Sequence, residues 1–347
     1  MRAPMAGLVF ALLLAAPGHS SAQLLLTATE SHDIVEAAAS AYQEGYVFED
    51  KGRLIAAALR QQNAAGAFAR YAQPAAFATA LTEAIRRTQP DRHIEIVAPS
   101  APAPTSSPAP QSRAEQLAWV ERLRRRNYDF VRVERLPGNV GLLRLDSFPP
   151  PELAAPTAAA AMAFLQNCDA LIIDLRANDG GTGDMVRLLA SYFFVEPTRL
   201  SRTFRRDGVP QTTYDSTLTS VPGQRMPVID VYVLTSSATI SAAEAFAFAL
   251  QQRGRAVVVG ETTAGAGNAG NYVDIGHGFR AFVPDVAVSS PISDATWEGV
   301  GVQPDIRAPV DRALVVAHHE AVRRLLAAAT DARIREALTR ALAATPQ

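Results

Sequence analysis

Acyl-transfer chemistry needs a hydroxyl or thiol, a base to take its proton, and donors for the oxyanion that forms. The segment Thr239-Ile-Ser-Ala-Ala-Glu244 supplies a hydroxyl, Ser241, at the junction between an apolar run and an Ala/Phe/Leu-rich stretch. Two readings of Ser241 stand at this point. One is a helix N-cap, paired with Glu244 three residues later as a capping box. The other is a nucleophile at a strand-to-helix turn, where helix-terminal N–H groups stabilise negative charge. The lone cysteine, Cys168, lies beside an apolar strand and reads as a buried thiol. A single cysteine excludes an internal disulfide and a thiolate metal site.

The elements around Ser241 form an α/β unit. Residues 228–234 are a near-continuous apolar run, as in a fully buried strand. Residues 241–252 contain no Gly or Pro and are long enough for a helix, and residues 257–260 read as a second buried strand. A third buried strand, 170–176, runs into Asn178-Asp179-Gly180-Gly181-Thr182-Gly183 and then a helix over 184–194. Strand 130–133 and strand 140–145 are joined by a Pro137-Gly138-Asn139 turn. Residues 199–223 read as polar and irregular, with a surface hairpin as the alternative, residues 272–283 as paired strands, and residues 312–330 and 332–343 as closing helices.

The chain has 347 residues, 48% hydrophobic and 19% charged, with a formal net charge of −1. That composition is globular and gives no basic field for nucleic acid. Residues 1–22 read as a secretory signal: Arg2, an apolar stretch over 8–16, and Ser20-Ser21-Ala22 as a cleavage site. No stretch is long and apolar enough to span a bilayer. The protein is therefore expected to be exported, to the periplasm or the medium. Residues 23–97 form an Ala-rich helical domain, in which Phe77, Leu81 and Ile85 make one buried stripe. Residues 98–112 are a Pro/Ala/Ser-rich linker, and residues 113–347 hold the α/β core and C-terminal helices.

Three stretches resemble the tail-specific, or carboxyl-terminal processing, serine proteases: Asp174-Leu-Arg-Ala-Asn-Asp-Gly-Gly181, Thr239-Ile-Ser-Ala-Ala-Glu244 and Gly254-Arg-Ala-Val-Val-Val-Gly-Glu-Thr-Thr263. Two more, 136–148 and Trp297-Glu-Gly-Val-Gly-Val-Gln-Pro-Asp305, resemble the tricorn and interphotoreceptor retinoid-binding protein side of that family. The resemblance implies a crotonase/ClpP-like core of repeated strand–strand–helix units and peptide hydrolysis through an acyl-enzyme. Ser241 takes the nucleophile position.

Many such proteases use a lysine base about two dozen residues after the serine. Here Ala266 occupies that place, and the only lysine, Lys51, matches no motif. The tricorn-like alternative is a histidine from the helical region, held by a glutamate. By that resemblance His93 is the base, with His32 as the other candidate, and Glu298 orients the ring. The pattern has a serine directly before its histidine, where this chain has Arg92. Gly180, Gly181 and the amide of Ala242 are expected to form the oxyanion hole. The interval between His93 and Val140 leaves no room for a PDZ domain. The expectation is an exported serine endopeptidase acting on peptides or protein tails, without cofactor or metal. The alternative is a non-catalytic binding module for apolar ligands or peptides on the same fold.

Overall fold

The computed structural model describes residues 25–99, 113–206 and 211–344. The expected signal at 1–22 and all but the first two residues of the 98–112 linker lie outside the described residues. Three helices open the chain: α1 (Ala28–Gly45), α2 (Glu49–Ala64) and α3 (Pro74–Thr88), followed by β1 (Glu95–Val97). Thr27 caps α1 through a reciprocal box with Glu30, and Pro74 starts α3 where a missing N–H costs nothing. Next come α4 (Arg113–Arg125), β2 (Phe130–Leu136), β3 (Val140–Leu145), α5 (Pro151–Leu165), β4 (Ala170–Asp174) and α6 (Gly183–Ala190). The hairpin β5 (Arg199–Arg205) and β6 (Gln211–Ser216) leads to β7 (Asp230–Thr235), α7 (Ala242–Gln252) and β8 (Ala256–Gly260). A second hairpin, β9 (Ala269–Asp274) and β10 (Arg280–Ser289), is followed by β11 (Ile306–Arg307), α8 (Ala313–Ala328) and α9 (Ala332–Ala344).

Six strands form the central sheet in the order β11-β8-β7-β4-β3-β2, parallel except for the β2–β3 hairpin. Both faces are covered, which explains the uninterrupted apolar runs. Leu171 and Ile173 of β4 point to the layer holding Met162, Leu189 and Phe246, from α5, α6 and α7. Ala170 and Ile172, one residue out of phase, point to the layer of α8 and α9 with Ala317, Val322 and Leu338. The expected strand at 228 starts two residues later, and Val228 itself is 94% exposed.

The second sheet runs β1-β10-β5-β6, with β9 also on β10. Of the two readings of 199–223, irregular segment or surface hairpin, the hairpin holds: β5 and β6 pair antiparallel in register Ser201↔Asp215, Thr203↔Thr213 and Arg205↔Gln211. Strand β10 joins the two halves of the molecule. Its residues 280–282 pair with β1, and its residues 286–289 pair with β5. The helices α1–α3 share one apolar core with Phe279, Ala281 and Val283.

Candidate active site

Ser241 stands between β7 and α7 with φ 60° and ψ −120°. A side-chain-bearing residue pays roughly 1–3 kcal/mol for such a conformation, and it persists only where the surroundings impose it. Here Glu244 imposes it. Its fully buried carboxylate accepts the Ser241 N–H (2.9 Å), the Thr263 hydroxyl (2.5 Å) and the N–H groups of Gly265 (2.7 Å) and Ala266 (2.9 Å). The carboxylate thus ties the helix start to the Gly-rich loop, well beyond the cap that the sequence suggested. Burial pushes its pKa upward, and those four donors oppose the shift.

Gly180 and Gly181 follow β4 at positive φ, 95° and 132°. A Cβ on Gly181 would lie 2.1 Å from Phe148 O, so only glycine fits there. The Gly180 N–H is already given to Asn178 Oδ1 at 2.9 Å, contrary to its expected place in the oxyanion hole. Among the described residues the N–H groups of Gly181 and Ala242 have no acceptor.

His93 follows α3 and precedes β1, stacked on Phe282 with ring centroids 5.6 Å apart. Its Nδ1 is buried and lacks a partner among the described residues. Burial lowers the imidazole pKa; the Asp91 charge acts in the opposite direction. Glu298 accepts the N–H groups of Gly267 (2.6 Å) and Asn268 (2.8 Å) on Oε2, while its buried Oε1 has no partner among the described residues. Burial, reinforced by the Asp91 charge, pushes the Glu298 carboxyl up to about 7. A ring nitrogen of His93 and one carboxylate oxygen each of Asp91 and Glu298 lie within 4.8 Å of one another.

His93, Gly181, Ser241 and Ala242 line one cavity of about 410 Å³. Its apolar wall is Val186, Leu200, Ala245, Ala249 and Val288, and the β5–β6 hairpin supplies Ser201, Thr213 and Asp215. Ala266, in the place of a lysine, lines the cavity and carries no base. His32 is elsewhere: its ring meets Asn63 Nδ2 at 3.1 Å, between α1 and α2. Lys51 sits over the Phe48 ring at 4.8 Å, and His318 meets Pro137 O at 2.8 Å.

The sequence model of peptidase family S41 matches residues 139–308. Residues 139–308 belong to peptidase family S41. That S41 segment carries Gly180, Gly181, Ser241, Glu244 and Glu298, whereas His93 precedes it. The chain is 29% identical over 169 residues to carboxyl-terminal-processing peptidase 3, chloroplastic, of Arabidopsis thaliana, covering 48% of this chain and 31% of that one. It is 28% identical over 170 residues to a carboxyl-terminal-processing protease of Picosynechococcus sp., covering 49% and 39%. The match spans well under half the length of these curated relatives.

Two solved structures share the fold seen here. A photosystem II D1 C-terminal processing protease superposes with TM-score 0.51 at 16% identity, over 83% of this chain and 94% of that one. A lipoprotein from Streptococcus agalactiae superposes with TM-score 0.52 at 16% identity, over 85% and 96%. No helix among the described residues is long and apolar enough to cross a membrane.

Two residues of the site escaped the sequence reading. Asp91 is completely buried beside His93, and Asn268 stands between Asp91 and Glu298. The one signal for Asp91 was its position two residues before the histidine, where an Asx turn fixes the backbone.

Proposed function

We propose that the chain is a serine endopeptidase using Ser241 as nucleophile, His93 as general base and Glu298 as the carboxylate that orients the ring. The observation that carries this reading is the shared cavity: the strained serine and the half-buried imidazole both open onto it. Two buried atoms at the site without partners among the described residues, His93 Nδ1 and Glu298 Oε1, are those that a histidine–carboxylate hydrogen bond would join.

In the acylation step, Ser241 Oγ attacks the scissile carbonyl carbon while its proton passes to His93. The resulting oxyanion is held by the N–H groups of Gly181 and Ala242. Collapse breaks the C–N bond, and His93 returns the proton to the departing amine. Water then attacks the acyl ester by the same relay, giving a free carboxylate and free Ser241. The apolar wall of Val186, Leu200, Ala245, Ala249 and Val288 receives an apolar side chain next to the scissile bond. The substrate is a peptide or an unstructured protein tail. Export through residues 1–22 belongs to the same reading and is motivated by their charged, apolar and small-residue order.

A fluorophosphonate probe tests the reading directly. Labelling should map to the peptide containing Ser241 and vanish in Ser241→Ala, together with peptide cleavage. An unlabelled but folded wild-type protein that still binds peptides would make the chain a binding module instead.

A further inference from the structure

Asp91 is a fully buried carboxylate that the mechanism above does not use. Its Oδ1 accepts the His93 backbone N–H at 2.9 Å. Its Oδ2 accepts the Tyr46 hydroxyl at 3.0 Å and the Asn268 side-chain amide at 2.9 Å. Asn268 in turn gives its backbone N–H to Glu298 Oε2 at 2.8 Å. One asparagine therefore spans the two carboxylates. The three donors come from the end of α1, from the turn before β1 and from the loop leading into β9.

We propose that Asp91, clamped by Tyr46 and Asn268, is a positioning residue that locks the His93 backbone and the Glu298 carboxylate into one frame. This inference rests on the serine-peptidase reading of the site. A buried carboxylate left without donors would be strongly disfavoured, and here three hydrogen bonds compensate it. Asp91 is not the carboxylate that turns the ring. Three donors occupy its two oxygens, whereas Glu298 Oε1 is unpaired among the described residues.

The role has an electrostatic consequence. The Asp91 charge favours imidazolium at His93 and disfavours ionisation of Glu298. The titratable and charged groups facing the cluster are Tyr42 of α1, Tyr46 just after it, Arg86 of α3 and Glu244 of α7, with Glu95 of β1 and Tyr272 of β9 behind Tyr42. Removing the charge and removing one of its donors should therefore move His93 in opposite directions. An Asp91 whose charge did not reach the imidazole would not produce that pair of effects.

The test follows the His93 Cε1–H resonance by NMR titration of the full chain, assigned by its loss in His93→Gln. Asp91→Asn should lower the midpoint by about half a pH unit or more. Tyr46→Phe leaves the anion less compensated and should raise it. The acidic limb of kcat/KM should follow each midpoint. Midpoints unchanged in both variants would overturn the proposal. If Asp91→Asn does not fold, an unmoved midpoint in Tyr46→Phe alone overturns it. A wild-type protein that cleaves nothing, with both midpoints moved as expected, would sink the peptidase reading and leave the clamp standing.

Discussion

A methyl group on Gly180 would stand 2.8 Å from Ser241 Cβ and 3.4 Å from Ser241 Oγ. The backbone after β4 is thus pressed against the proposed nucleophile, at φ 95° where an L side chain is also strained. Gly180→Ala should lower kcat/KM on the order of 10²-fold or more, because displacing a reacting group by about an ångström has that effect. Stability should fall by about 1–3 kcal/mol. Comparing peptide cleavage with thermal unfolding separates the two losses. Near-wild-type activity in the folded variant would show that Ser241 has room to move.

The conformation of Ser241 gives a second expectation. At φ 60° and ψ −120°, glycine is the unstrained residue. Ser241→Gly should unfold at a higher temperature than Ser241→Ala, and both should lose fluorophosphonate labelling. The hydrogen bond from the residue-241 N–H to Glu244 survives in either variant, because it uses the backbone. If the alanine variant is the more stable, the backbone carries no strain there.

Glu298 links activity to pH and stability with opposite signs. Its pKa is raised from 4.5 to about 7 by burial and Asp91, so the folded state holds this proton more tightly than the unfolded state. The resulting penalty is absent below about 4.5, grows as pH rises through the interval, and is complete above about 7. Glu298→Gln should therefore be more stable than wild type at pH 8, by about 1–3 kcal/mol, and gain nothing at pH 4. Activity needs the ionised carboxylate, so kcat/KM should rise with pH through the same interval in wild type. The variant should lose on the order of 10²- to 10⁴-fold in rate, as other enzymes do without their histidine-orienting carboxylate. Thermal melts and rate profiles across pH 4 to 9 check both halves.

Glu244 should matter more to the structure than an exposed cap would. Glu244→Gln replaces an acceptor-only group by one that also carries donors, opposite the N–H groups of Ser241, Gly265 and Ala266. At least one N–H must then face an N–H. A loss of about 1–3 kcal/mol is expected, larger than the roughly 1 kcal/mol typical of a helix cap. Labelling of Ser241 should slow in the same variant, since the loop and the serine turn share this anchor.

Much of this was legible in the sequence because its signals are local. The strand, turn and helix around Ser241 sit within a few residues of where the apolar pattern places them, and the closing helices likewise. The β5–β6 hairpin was legible only as one alternative to an irregular segment, for a physical reason. All of β6 is exposed or half-buried, and the face of the hairpin toward the cavity carries Ser201, Thr203, Thr213 and Asp215. Neither face supplies the alternation of apolar and polar residues on which strand recognition depends. Asp91 was invisible because its burial depends on Tyr46 and Asn268, the latter 177 residues away. The Gly180 amide was assigned to the oxyanion hole from its glycine context. Only the turn geometry revealed that Asn178 takes it.

Strand β10 has a consequence for when the proposed site becomes complete. Its residues 280–282 hold β1, which follows His93, and its residues 286–289 hold β5, whose Ser201 and Thr203 line the cavity that Ser241 also lines. Under the peptidase reading, a chain still lacking β10 holds imidazole and serine without this tie between them. Ripening of the tool would then await a strand far downstream of His93, and competence to cut would be a late reward for correct folding.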